Sequence, residues 1–524
     1  MTTPGLIPIA RGTRDLSVLT RYANRHGLIA GATGTGKSVS LMLLAEEFSK
    51  QGVPVFLADV KGDLAGLSQA AVLGDKLRNR LKMLGIEDSW KPGANPVVFW
   101  DIYGKNGHPL RTTITEMGPI LLARLMDLND VQSGVLNVVF RVADQEGLLL
   151  IDLPDLRAML NYVSENAKSI SAEFGLVSST SIAAVQRALL GLEDVGARAF
   201  FGEPAFELKD FFRIDPQGRG VINMMSAEQL ILKPQLYSSF LLWLLSELFE
   251  QLPEVGDLDK PRLVFFFDEA HLLFDGAPPS LVQRVEQVVR LIRSKGVGVY
   301  FCSQNPDDIP NDILGQLGHR VQHALRAFTP RDQKAVKTAA ETFVPNPKLD
   351  VVAAITELGV GEALVSFLTE GGRPEMVERA WILTPGCRIG AITEEERQAV
   401  RAQSPIGTKY DEAIDRESAY EVLKQRAEPP AAAPAAPEVP ASDGGGWSLN
   451  WPWGKPETPP PAPAPAPRPR APAAPRPAPA AKPASRGRQR EGVGEAFAKS
   501  VARSVGSQFG RQLLRGILGA LTRK

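Results

Sequence analysis

Cysteine is nearly absent from this chain. Cys302 and Cys387 are the two in 524 residues, and no CxxC spacing exists. That excludes a disulfide framework and fits a reducing compartment. A secretion signal is also missing, since MTTPGLIPIARGTRDL lacks the charged-then-apolar order. Long hydrophobic runs are wanting: Phe240 to Leu245 is the longest, far short of the roughly 20 residues that cross a bilayer. The expected location is therefore the cytoplasm. No zinc cluster, nucleophilic triad or glycosidase carboxylate pair stands out. Net charge is zero but unevenly spread. Residues 458–524 hold 13 Lys and Arg against 2 Asp and Glu, a surplus of +11, which leaves about −11 on the rest. The body is not a generally basic nucleic-acid binder. Contact with DNA there would need a local basic patch or an oligomeric pore.

What is present begins with a strand, Gly27 to Gly31, then a Gly-rich turn and the helical run SVSLMLLAEEFSKQ. Val53 to Val60 is a second apolar strand, closed by LysGlyAsp. Strand, turn, helix, strand is the start of a parallel α/β sheet. Residues 110–200 read mainly as helices. GVINMM returns as a strand, QLYSSFLLWLLSELFEQL as a long helix, RLVFFFDEAH as a strand and VGVYFCSQ as another, with a helix from about Ser280 to Ser294 between the last two. RVQHALRAF and EALVSFL are two more strand candidates. Apolar runs without alternation suit strands buried on both faces.

Gly31-Ala32-Thr33-Gly34-Thr35-Gly36-Lys37-Ser38 matches GxxxxGK[ST] in full. The glycines let backbone N–H groups turn inward around phosphate oxygens, and the following helix adds the positive end of its dipole. In this motif Lys37 reaches the β- and γ-phosphates and the Ser38 hydroxyl faces Mg²⁺. LVFFFDEAH supplies the acids: Asp268 for the metal, through water, and Glu269 to polarise the attacking water. Both fall at the C-terminal end of a core strand, where ligands bind in open α/β sheets. Asp59 in ADVKGD is a further acid, either secondary to the site or purely structural. Gln304 ends the next strand and can sense the γ-phosphate. Arg293, just before LysGlyValGly, is the first candidate for an arginine finger reaching a neighbour's ATP, with Arg290 beside it and Arg320 and Arg326 as further candidates. His271 completes the letters DEAH, a weak four-letter match without the other helicase motifs that label requires; it reads as a site-lining or structural residue.

In this order HGLIAGATGTGKS, LADVKGDL, VFFFDEAH and RSKGVGVYFCSQNPDDIP resemble the HerA/FtsK branch of RecA-like ATPases, from about residue 6 to 390. FGEP, GRGVINMM and VARSVGSQFGRQLLRGILG make the chain most similar to the bacterial HerA-like proteins of the YjgR type. The resemblance implies a homo-hexameric ring using ATP and Mg²⁺, a glutamine sensor at Gln304, a finger most plausibly at Arg293, and double-stranded DNA as substrate. HerA translocases carry a β-barrel before the P-loop. Here 30 residues precede Gly31, so the barrel's docking role does not carry over.

The expected organisation is a RecA-like α/β P-loop domain over 1–426, its mainly parallel sheet flanked by helices and its helical insertion at about 110–215. A disordered Pro/Ala-rich linker follows over 427–490 and a basic amphipathic helix over 491–524. The leading expectation is an ATP-driven DNA translocase or helicase-like motor. The alternatives are an ATPase that remodels or moves protein at a membrane surface, and a slow nucleotide-gated interaction protein. For these the terminal helix would meet a partner protein or the inner face of the membrane.

Overall fold

Successive residues of a strand point to opposite faces, so a run such as LVFFF can persist as a strand only where both faces are covered. The computed structural model, which describes residues 5–275 and 279–427, provides that cover. Its strands are β1 (Leu6–Arg11), β2 (Asp15–Leu19), β3 (Gly27–Ala30), β4 (Val55–Asp59), β5 (Val97–Asp101), β6 (His108–Pro109), β7 (Ile222–Ser226), β8 (Leu263–Phe267), β9 (Val297–Ser303), β10 (His319–Gln322), β11 (Glu362–Ser366) and β12 (Glu378–Ile382). They form one sheet in the order β2-β1-β12-β11-β10-β3-β9-β8-β4-β7-β5-β6. From β10 to β6 every neighbouring pair is parallel. From β10 outward to β2 the pairs are antiparallel. The fold is thus α/β with a mainly parallel sheet.

On one face Ile29, Leu57, Phe266 and Tyr300 pack against the P-loop helix Lys37–Lys50, through Leu41, Leu44 and Phe48. On the other, Leu28, Phe265, Phe267 and Phe301 meet the helix Pro234–Gln251, whose Phe240 to Leu245 are all buried. That run is therefore a core helix. No single helix among the described residues is long and apolar enough to cross a membrane. Helices Ile114–Leu125, Asp130–Glu146, Leu153–Glu165, Ala167–Phe174 and Ser179–Asp194 extend this second layer. Three start with reciprocal caps, Thr113 with Glu116, Asn129 with Gln132 and Asp152 with Asp155. Each cap satisfies amides that the first turn leaves without partners.

Two sequence expectations change. RVQHALRAF is a strand only as far as Gln322. Its partner β3 ends at Ala30 and turns into the P-loop, so the regular ladder gives way to loop contacts, the His323 amide on the Ala30 carbonyl and the Ala32 amide on the Ala324 carbonyl. The lead-in before Gly27 holds the hairpin β1–β2, which β12 extends through β1. Pro8 and a register shift between Pro8 and Ala10 break its alternation, which hides the strand from a periodicity reading. The linker and terminal-helix expectations lie outside the described residues.

Candidate functional site

β3 lies between β10 and β9, and the P-loop is tied to both. The amide of Gly31 donates to the Ser303 carbonyl at 3.2 Å and that of Ala32 to the Ala324 carbonyl at 2.8 Å. Gly31, Gly34 and Gly36 have φ of 153°, 79° and 118°, a region that suits glycine. Gly31 has a second constraint: a Cβ there would sit 2.5 Å from His323 Cβ. Thr35 Oγ1 donates to the Ala32 carbonyl at 2.7 Å, which tightens the loop. The Lys37 ammonium folds back onto that carbonyl at 3.2 Å. The helix begins without a side-chain cap. Among the described residues the amides of Gly34, Gly36, Lys37 and Ser38 have no acceptor. Backbone donors at a helix N-terminus, converging beside a lysine, form a site for an anion.

The adjacent strand ends hold the acids. Asp268 follows β8 and is buried, beside the Cys302 thiol on β9. Burial, with the charge of Glu269 next, pushes its pKa up to about 6. Glu269 is a non-glycine residue in the left-handed region, φ 47°, the kind of strained backbone that recurs at functional sites. One carboxylate oxygen is held by the Lys61 ammonium. The other accepts from Gln304 Nε2 at 3.4 Å. Burial alone would raise the Glu269 pKa; Lys61 and Gln304 reverse this and hold it below the ordinary value. His271 Nδ1 lies 3.4 Å from the same oxygen without forming a hydrogen bond.

Asp59 ends β4, one position along from the paired residues Ala58 and Phe267. Its oxygens accept from the amides of Gly62 at 2.7 Å and Leu64 at 3.2 Å, which shapes the turn that carries Lys61. Burial, then Asp63 and Asp268, pushes it up to about 7. Asp59 is thus both a turn-former and a neighbour of the site.

The structure brings the P-loop, Asp268, Glu269 and Gln304 to one edge of the sheet. It does not bring Arg293 there. Arg293 stands before the N-terminal end of β9, and seven residues at ~3.3 Å separate that end from Gln304. Arg290 pairs with Glu286 on the same helix. Arg320 is half-buried near the start of β10 and donates to the Leu314 carbonyl at 3.2 Å. Arg326 is exposed beyond the C-terminal end of β10. Sequence reasoning gave no role to Lys61 or His323. Lys61 had one signal, a basic residue directly after a core strand beside the P-loop. His323 had none: it is buried, with Ser40 Oγ 2.8 Å from its Nε2 and the Glu362 carbonyl 2.9 Å from its Nδ1.

The family model for the C-terminal part of HerA-like helicases matches residues 6–524. The chain belongs to the HerA-like helicase C-terminal family. This HerA-like chain is 30% identical over 120 residues to a probable helicase of Methanocaldococcus jannaschii, 22% of this chain and 21% of that protein. It is 33% identical over 109 residues to the DNA double-strand break repair helicase HerA of Pyrococcus furiosus, 21% of this chain and 18% of that protein. The match thus spans about a fifth of the length of these curated relatives. Among solved structures, the bacterial conjugative coupling protein TrwB in its unbound form superposes with a TM-score of 0.50 at 14% identity, covering 74% of this chain and 91% of that one. Its complex with the ATP analogue ADPNP gives 0.50 at 16%, covering 74% and 92%. Its complex with the GTP analogue GDPNP gives the same values.

Proposed function

We propose that this protein is an ATP-hydrolysing ring motor of the HerA type that acts on double-stranded DNA. The observation that carries the reading is one sheet edge where unpaired P-loop amides and Lys37 stand beside strand ends bearing a buried Asp268 and a clamped Glu269. The amides of Gly34, Gly36, Lys37 and Ser38 would take the phosphate oxygens, with Lys37 leaving its own loop carbonyl for the β- and γ-phosphates. Asp59 and Asp268 are buried carboxylates whose charge is poorly compensated, which suits a divalent cation. Ser38 and Asp268 would hold Mg²⁺, which when bound neutralises charge on the β- and γ-oxygens. Glu269 would accept a hydrogen bond from the attacking water, and Gln304 would orient it. Lys61 and Gln304 each occupy one acceptor site, one on either Glu269 oxygen, which leaves a further lone pair on each for that water. Arg293, on the opposite edge of its own subunit, would act only on a neighbour's nucleotide, which requires a homo-oligomer, most simply a hexameric ring. TrwB complexes with ATP and GTP analogues support a nucleoside triphosphate as ligand, and the Pyrococcus HerA relative supports DNA as substrate.

ATP turnover measured with and without duplex DNA, at low and at physiological salt, tests this. We expect Lys37-dependent hydrolysis that duplex DNA stimulates, with stimulation fading as salt rises. Hydrolysis indifferent to DNA at every salt would remove DNA from the reading and leave the ATPase.

A further inference from the structure

A cavity of about 670 Å³ opens where the ends of β5 and β6 meet the start of the helix Leu153–Glu165. β5 lies five strand positions from β3, ~24 Å at ~4.8 Å per step. The cavity is therefore a second place on the sheet edge where ligands bind in open α/β folds, apart from the P-loop. We propose that it binds a zwitterion of the α-amino acid or dipeptide class, with the ligand carboxylate on Arg111 and its ammonium on Asp152. The volume falls within the roughly 300–1,000 Å³ usual for small-molecule sites.

Most of the charges on its walls are already matched. Arg157 and Arg198 share Glu193 at 2.7 and 3.4 Å, and Arg416 pairs with Glu203 at 2.7 Å. Asp155 accepts from the amides of Ile151 and Tyr420 at 2.8 and 2.9 Å. Glu421 accepts from the Ser418 amide at 3.0 Å, and Asp415 is exposed to solvent. Two groups are left. Arg111 is half-buried, and its one hydrogen bond among the described residues runs from Nη1 to the Tyr410 carbonyl at 2.9 Å. Asp411, whose charge it feels, is taken by His108 at 2.8 Å and Arg401 at 2.7 Å. Asp152 is half-buried too; it accepts from the Asp155 amide at 3.1 Å and has no ion pair among the described residues. Burial, with Asp155 and Glu421 near, pushes its pKa up to about 6, the mark of a carboxylate whose charge lacks compensation.

Two unmet charges of opposite sign on one cavity define the ligand. A polyphosphate would bring several negative charges to a lining in which five carboxylates face four arginines. An uncharged apolar ligand would take both groups out of water without a partner. One carboxylate and one ammonium on the same molecule answer each, and the planar guanidinium of Arg111 suits a carboxylate. Tyr103, Pro109, Phe201 and Ile414 give the cavity apolar walls for a side chain; Ile414 is 56% exposed and would be covered by it. One wall is the strap 413–421. It is tied down by the Ile414 amide on the Glu203 carbonyl at 3.0 Å and by the Tyr420 amide on Asp155, so the wall stands before the ligand arrives.

Calorimetric titration of the full chain at neutral pH tests this, with L-phenylalanine and the dipeptide leucylphenylalanine as probes. Each is compared with its C-terminal amide, which lacks the carboxylate, and its N-acetyl form, which lacks the ammonium. We expect a zwitterion to bind and each blocked form to bind at least ~10-fold more weakly, the scale of one charge-assisted hydrogen bond. Asp152→Asn keeps the helix cap, since asparagine serves equally there. It should bind the free and N-acetyl forms alike while still preferring the carboxylate. Arg111→Gln should bind acid and amide alike while still preferring the ammonium. Such crossed losses couple each residue to one ligand group, which a purely structural role does not produce. Absence of binding by both zwitterions at millimolar concentration overturns the site. So do blocked forms that bind as tightly as free ones, a comparison made on wild type alone that stands even where a variant fails to fold. A variant that keeps the wild-type preferences removes its residue from the assignment and overturns it.

Discussion

Glu269 and Asp268 are adjacent in sequence yet meet different surroundings. Glu269 has a cation and an amide on its two oxygens, and Asp268 has burial and a thiol. Glu269→Gln should therefore retain ATP·Mg²⁺ binding with very slow turnover. Asp268→Asn should weaken the metal-dependent part of binding. Lys37→Ala should lower turnover by at least ~10²-fold, the scale of losing one preorganised electrostatic contact. Like behaviour of the two acid variants in nucleotide titrations with and without Mg²⁺ would refute the division of labour. Three histidines set an acid limit for the fold. Burial pushes His26, His319 and His323 down to about 4. His26 Nδ1 accepts from the Val299 amide at 2.9 Å, so Nε2 carries the hydrogen donated to the Val289 carbonyl at 2.8 Å, and the ring is neutral. Between about pH 6.5 and pH 4 the unfolded chain binds a proton there that the folded chain refuses. Stability is therefore lost as pH falls through that window, by about 3 kcal/mol for each histidine. His26→Gln should be less stable at pH 7 but lose less on going to pH 4.5. Urea midpoints at the two pH values decide it, and an equal fall in both proteins counts against the assignment.

At the scale of elements, the P-loop is an extension of the sheet. Its first two amides bond to the ends of β9 and to the chain beyond β10, and His323 packs against it. Gly31 and Gly34 should therefore respond differently to alanine. Gly34 has positive φ but open space around the added carbon, which costs about 1–2 kcal/mol for the left-handed conformation. Gly31 adds a steric conflict with His323, a further ~1–3 kcal/mol on the scale of overpacking, ~2–5 kcal/mol in all. Thermal unfolding should rank Gly31→Ala below Gly34→Ala, and Gly31→Ala should also bind nucleotide less tightly. The reverse ranking would mean that the loop is not anchored through His323.

For the whole molecule, the open question is whether one subunit completes another's site. Arg293 and the P-loop occupy opposite edges of one sheet, so under the proposed function Arg293 would meet a nucleotide only across a subunit boundary. Turnover per subunit should rise with protein concentration as rings assemble. Mixing Arg293→Ala with Lys37→Ala subunits should recover part of the activity, because some interfaces then pair an intact P-loop with an intact arginine. No recovery at any ratio, with mixed rings confirmed by mass, would exclude Arg293, and Arg320 would be tested next.

The P-loop, the Asp268–Glu269 pair and the parallel centre of the sheet were legible in the sequence, because each is written in consecutive residues. Eight residues define the phosphate loop, and an apolar run ending in two acids defines a buried strand with its charges at the ligand edge. The antiparallel flank of β1, β2 and β12, the Lys61 hold on Glu269, the His323 prop and the cavity shared by Arg111 and Asp152 were not. These depend on residues up to hundreds of positions apart meeting in space, Lys61 with Glu269 and Arg111 with Tyr410. Local propensity and spacing carry no record of such meetings. Only packing two layers of helices on the sheet decided which side chains share an edge and which, like Arg293, are left on the other side.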